Sequence, residues 1–132
     1  MSSKPTAISL FSGMGGDSLG IQEAGFDIIA FNEFDKAAVN SHLENFPDSI
    51  LIQDPTQKKP KDKINIQVIP DEIFSEYKDK VAWIFAGHPC QGFSNGGKKL
   101  PDDPRNTLFR EFARVCKLVK PKYIIGENVD GL

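Results

Sequence analysis

Along this chain, short apolar runs of strand type alternate with stretches of helical period. Residues 7–11 read as a first strand. After a glycine-rich turn, Leu19, Ile21, Ala24 and Phe26 fit a short helix that leads into a second strand at 28–31. Residues 36–46 read as a helix with Ala38, Val39, Leu43 and Phe46 roughly on one face, ended by Pro47, and a third strand follows at 49–52. The stretch 55–70 is polar, lysine-rich and flanked by prolines, which predicts a surface insertion without chemistry of its own. Beyond it a short helix is expected at 71–77, then a central buried strand at 81–86, apolar almost throughout. After a long loop, Leu108, Phe112, Val115 and Val119 recur at helical spacing over 106–119, and 123–126 makes a fifth strand. The alternation of the two periods predicts an α/β fold: a mostly parallel, doubly wound sheet covered by helices.

Composition changes this picture little. At 132 residues, with 39% hydrophobic and 26% charged side chains, the chain suits one domain with a single core. Its apolar runs are too short to span a bilayer and no apolar signal core follows the first residues, so a cytoplasmic or nuclear protein, not a secreted one, is expected. The net charge of -2 argues against strong DNA binding by this segment alone. Lys58, Lys59, Lys61 and Lys63 cluster among acids and prolines and read as a solvated loop. Cys90 and Cys116 are too few for a disulfide framework and lack the local partners of a zinc site, so no metal is expected and reduced thiols are the default.

Candidate chemistry gathers where predicted strands end. Phe11-Ser12-Gly13-Met14-Gly15-Gly16 follows the first strand and opens a helix, where missing side chains let a ligand approach free backbone amides; a tight strand-to-helix connection would look the same. The spacing departs from the dinucleotide pattern G-x-G-x-x-G. Glu33 ends the second strand, a position from which a carboxylate accepts hydrogen bonds from ribose hydroxyls. Cys90 lies in Gly87-His88-Pro89-Cys90-Gln91-Gly92-Phe93-Ser94 after the fourth strand, at the carboxyl end of the sheet where open α/β folds bind substrates. Cys116 sits on or beside the apolar stripe of a helix and reads as core. His88 is next to Cys90, yet neighbours on an extended loop point opposite ways, so a Cys-His pair is not inferred. Asp103 and Pro104 suit a helix start, and Glu127 ends the fifth strand.

Four of these segments, in order, resemble one family. The glycine turn is similar to F-x-G-x-G-G, the cysteine loop to P-C-Q-x-F-S, Asp103-Pro104-Arg105-Asn106-Thr107-Leu108-Phe109 to D-x-R-x-x-L-F, and Glu127-Asn128-Val129 to E-N-V of the cytosine-C5 DNA methyltransferases. His88 departs from the proline or apolar residue common there. The resemblance implies a Rossmann-like S-adenosylmethionine-dependent methyltransferase fold, here spanning about five strands. Residues 1–132 would then be the N-terminal part of the catalytic domain, with the target-recognition region supplied elsewhere, either by a longer polypeptide or by a complementary C-terminal methyltransferase chain.

The resemblance further implies S-adenosyl-L-methionine as cofactor, bordered by Phe11, Gly13, Gly15, Gly16, Glu33, Phe34, Asp54 and Leu108. Phe34 would stack on adenine and Asp54 would accept from its amino group. Cys90 and Glu127 would be catalytic, while Pro89, Gln91, Ser94 and Asn128 would face a cytosine flipped out of double-stranded DNA. Two alternatives stay open: a tRNA cytosine-C5 methyltransferase, since one branch of the family acts on RNA with the same residues, and a non-catalytic cofactor-binding subunit.

Overall fold

Five strands pair in the order β3-β2-β1-β4-β5, every pairing parallel. The computed structural model describes residues 4–12, 16–87 and 106–126. Within them run β1 (Thr6–Leu10), α1 (Gly16–Glu23), β2 (Asp27–Asn32), α2 (Lys36–Asn45), β3 (Ile50–Leu51), α3 (Pro60–Lys63), α4 (Asp71–Ser75), β4 (Trp83–Ala86), α5 (Asn106–Val119) and β5 (Tyr123–Gly126). The chain winds outward from β1 to β3, then crosses back to place β4 on the other side of β1. The gap between the ends of β1 and β4 is therefore the switch point at which such sheets bind ligands.

Strand alternation sorts the core onto two faces. Ile8 and Leu10, with their register partners Ile84 and Ala86, face Phe112, Val115 and Val119 of α5 and Phe74 of α4 in one cluster. Ala7 and Ile28 face Ile21 of α1, and Phe31 packs on Val39 of α2. Both faces carry helices, as a doubly wound sheet requires. Val115 and Val119 are fully buried, and each such side chain contributes about 1.5–3 kcal/mol.

Local chemistry explains the ends of α2. Asp35, in extended conformation, accepts from the amides of Ala37 and Ala38, while Phe46 closes the helix by donating to the His42 carbonyl just before Pro47. The longest helix, α5, has the predicted bounds, and so does β5.

Several expectations are corrected. The segment 55–70 is not simply a surface insertion: its lysines are exposed or half-buried, but Ile64, Ile66 and Ile69 are buried, two of them in the main cluster, because α3 and the turns after it fold back under the sheet. β4 is an interior strand as expected, paired with β1 and the edge strand β5, but it begins at Trp83 rather than residue 81, and β1 is the middle strand. In α1 only Ile21 of the apolar positions is buried. Leu19 is 51% exposed, and the helix stops before Ala24 and Phe26, where Gly25 at φ 100 turns the chain. The first strand ends at Leu10 because Phe11 has φ 54, and the third contracts to two residues.

Candidate active site

The register of the sheet brings the motif-bearing segments to one edge. Asn32 pairs with Leu10, Leu10 with Ala86, and Ala86 with Gly126. These four residues form a row across neighbouring strands about 4.8 Å apart. From that row the chain continues into Glu33-Phe34, the glycine turn, the cysteine loop and Glu127-Asn128 respectively. Gly13, Gly15, Pro89, Cys90, Gln91, Ser94, Glu127 and Asn128 themselves lie outside the described residues. Gly16 opens α1, and Leu108 is in the first turn of α5.

Phe11 turns the chain off β1 with a left-handed backbone, an arrangement that costs a bulky residue about 1–2 kcal/mol and is concentrated at functional sites. Its ring packs on the main cluster. Ser12, 5% exposed, donates through Oγ to the Ser9 carbonyl (3.0 Å) or that of Asn32 (3.3 Å). At the end of β2, Oε2 of half-buried Glu33 accepts from the Asp35 amide at 2.8 Å, which orients the carboxylate. The Phe34 ring is 51% exposed and lines a cavity of about 620 Å³ with Val39, Leu43, Leu51 and Ile64.

Asp54 is 5% exposed and organises its own turn. Its Oδ1 accepts from Thr56 Oγ1 (2.7 Å) and the Thr56 amide (3.0 Å), and its Oδ2 from Gln57 Nε2 (3.1 Å). The Thr56 hydroxyl, then the Thr56 amide and Gln57, hold the carboxyl below the usual carboxylate range against the opposing effect of burial. Asp54 is thus a fixed anion with capacity for one more donor, which fits an amino group. Neither Glu33 nor Asp54 lines the cavity at Phe34, so these residues share the sheet edge without sharing that pocket. The half-buried Cys116 packs on the main cluster, and burial pushes its thiol up to about 11, leaving it a poor nucleophile at neutral pH. Among the described residues no group of His, Cys, Asp and Glu could hold a metal ion.

Sequence reasoning missed Asn32, Ser12, Ser18 and His42, all buried polar residues close to these segments. Asn32 directly precedes Glu33, but nothing in the apolar pattern distinguishes a strand-end asparagine that is bonded across the sheet from one that faces water.

Comparison with known proteins agrees with this geometry. The Type II methyltransferase M.XorII of Xanthomonas oryzae pv. oryzae is 39% identical over 132 residues, covering 98% of this chain and 29% of the relative. A crystal structure described as a DNA modification methyltransferase encoded within an E. coli prophage superposes with TM-score 0.73 at 36% identity, over 96% of this chain and 32% of that one. A mutant of Spodoptera frugiperda DNMT2 superposes with TM-score 0.59 at 30% identity, over 96% and 36% respectively. The chain therefore spans about a third of the length of the relatives it matches. The model of the C-5 cytosine-specific DNA methylases matches residues 6–132, and the chain belongs to that family.

Proposed function

We propose that this chain is the cofactor and nucleophile portion of a DNA (cytosine-5)-methyltransferase that takes its methyl group from S-adenosylmethionine. The observation that carries this reading is the in-register row Asn32-Leu10-Ala86-Gly126, from which Glu33-Phe34, the glycine turn, the cysteine loop and Glu127-Asn128 continue at one edge. Phe11 and the glycine turn would hold the methionine end of the cofactor, Glu33 the ribose, and Phe34 and Asp54 the adenine. When bound, the cofactor supplies an electrophilic methyl group.

Carbon 5 of cytosine is a weak nucleophile until the aromatic ring is broken. In this reading the Cys90 thiolate adds to carbon 6, its sulfur forming the new bond while the ring electrons move toward carbon 5. A carboxyl at Glu127 shares a proton with ring nitrogen 3 and offsets the charge that builds there, a contribution of about 100-fold or more. After carbon 5 is methylated, a base removes its proton and the thiolate leaves. Pro89, Gln91, Ser94 and Asn128 would line the space for the extruded base, whose flipping out of the duplex costs a few kcal/mol. The bacterial origin of M.XorII, and its Type II name, support a cytoplasmic modification enzyme over a nuclear one. Residues 1–132 are assigned as the N-terminal part of the catalytic domain, and target recognition to sequence beyond them or to a complementary C-terminal chain.

The test is covalent trapping. With the C-terminal part supplied, 5-fluorocytosine DNA and S-adenosylmethionine should give a protein–DNA adduct that is lost in Cys90→Ser and kept in Cys116→Ser. The reverse pattern overturns the assignment. Methyl incorporation into tRNA but not DNA would select the RNA branch, and cofactor binding without either would leave a binding subunit.

A further inference from the structure

The ends of β1, β2 and β3 are joined by buried polar bonds that no role assigned above uses. Asn32, 2% exposed, is their hub. Its carbonyl accepts from Ser12, through the amide at 3.4 Å or through Oγ at 3.3 Å. Its side-chain Nδ2 donates to the Ile52 carbonyl at 2.9 Å and to the Ile64 carbonyl at 3.2 Å.

The two side-chain bonds matter because the backbone ladder that holds β3 is short. Its ladder to β2 consists of Ala30↔Ile50 and Phe31↔Leu51, extended by the Ile52 amide on the Phe31 carbonyl at 2.8 Å. Asp54 follows two residues later, and its own amide donates to the Lys63 carbonyl at 2.8 Å, next to the Ile64 carbonyl that Asn32 grips. Asn32 thus fixes Asp54 from both sides, through Ile52 before it and through the 63–64 segment beside it. One planar amide with two N–H donors meets both carbonyls. Aspartate has the same shape and no such donor.

We propose that Asn32 is a positioning residue for the adenosine end of the cofactor: it sets the spacing between Glu33-Phe34 after β2 and Asp54 after β3 before ligand arrives. This rests on the cofactor reading above, in which those three residues take ribose and adenine. Preorganisation of this kind acts on affinity, because a pocket already in its bound form loses no further freedom on binding.

The experiment uses the chain complemented to a complete enzyme, with S-adenosylhomocysteine and adenosine as calorimetric probes. Asn32→Asp, shown by circular dichroism to be folded, should weaken both ligands by the same factor, about 10- to 100-fold for two lost hydrogen bonds. The loss should appear mainly in the KM for S-adenosylmethionine, with kcat at saturating cofactor within about 3-fold of wild type. Val119→Ala, which destabilises the core far from this edge, should leave both affinities unchanged, so that lowered stability alone does not imitate the effect. Should Asn32→Asp fail to fold, Asn32→Ser retains one donor and is expected to show a smaller loss shared by both probes. Wild-type affinity in a folded Asn32 variant, or weakening of S-adenosylhomocysteine without adenosine, overturns the inference while the cofactor reading stands. A wild-type enzyme that binds neither probe overturns both.

Discussion

His42 is fully buried, stacked on Phe31 with ring centroids 3.8 Å apart, and its Nε2 lies 2.8 Å from Ser18 Oγ. Its Nδ1 is buried with no hydrogen-bond partner among the described residues. A proton on Nε2, donated to Ser18, leaves only a bare lone pair at Nδ1, whereas the other tautomer would bury an unpaired N–H at greater cost. Burial pushes the imidazole down to about 4 from its ordinary 6.5. The unfolded chain therefore takes up this proton first as pH falls, and stability present above pH 6.5 is lost between there and pH 4, about 3 kcal/mol in full. In His42→Gln the ring is gone and this part of the pH dependence goes with it. Urea midpoints from pH 7 to 4 should fall less steeply in the variant, even if it is the less stable protein at pH 7. Parallel curves would show that another group carries the acid sensitivity.

Among the elements, α5 is tied to its neighbours by its core residues and by the polar contacts of Arg114. Arg114 donates from Nη1 to Asp71 of α4 (2.6 Å), from Nε to Glu111 (2.5 Å) and from Nη2 to the Ile66 carbonyl (2.7 Å), with its guanidinium over the Phe74 ring. The guanidinium spreads its donors over three nitrogens and so reaches three separate acceptors that the single nitrogen of a lysine does not span. Arg114→Met should lower stability by about 2 kcal/mol, and Arg114→Lys should recover only a fraction of it, as read by thermal or urea unfolding; equal stability of all three proteins would refute the anchor. The same contact explains why the burial within 55–70 is not legible in the sequence. Ile64, Ile66 and Val68 alternate with polar residues as in a strand, yet turns form there and Val68 stays exposed. The bonds that hold this segment come from far along the chain, Asn32 to the carbonyl of Ile64 and Arg114 to that of Ile66. By contrast α5 and β5 were legible to the residue, because Phe112, Val115 and Val119 keep a helical period and 123–126 is a bounded apolar run. At the site, the motif segments were readable from residue type and spacing. The left-handed Phe11 and the bonds of Asn32 were not, since both depend on partners that only the sheet register supplies.

For the molecule as a whole, the sheet has two edge strands, β3 and β5, and β5 leaves the longer exposed run. All four residues of β5 are exposed, with Tyr123 at 56%, Ile124 at 51% and Ile125 at 47%, and among the described residues its outer edge pairs with no strand. Beside it Trp83 stacks on Tyr123 at 4.5 Å, and a cavity of about 540 Å³ opens between α1 and the sheet, lined by Phe26, Phe85 and Ile125. An apolar strand edge with unpaired amides and carbonyls is a template for further pairing. In the proposed enzyme the C-terminal part would cover it. The chain on its own should then self-associate and bind a hydrophobic dye, and a complementary C-terminal chain should suppress both. Ile124→Lys places a charge on the open strand and should reduce self-association in analytical ultracentrifugation, because edge lysines oppose strand pairing. A chain that stays monomeric and dye-free alone at high micromolar concentration would show that this edge needs no cover, and would remove the structural reason for assigning the rest of the sheet to other sequence.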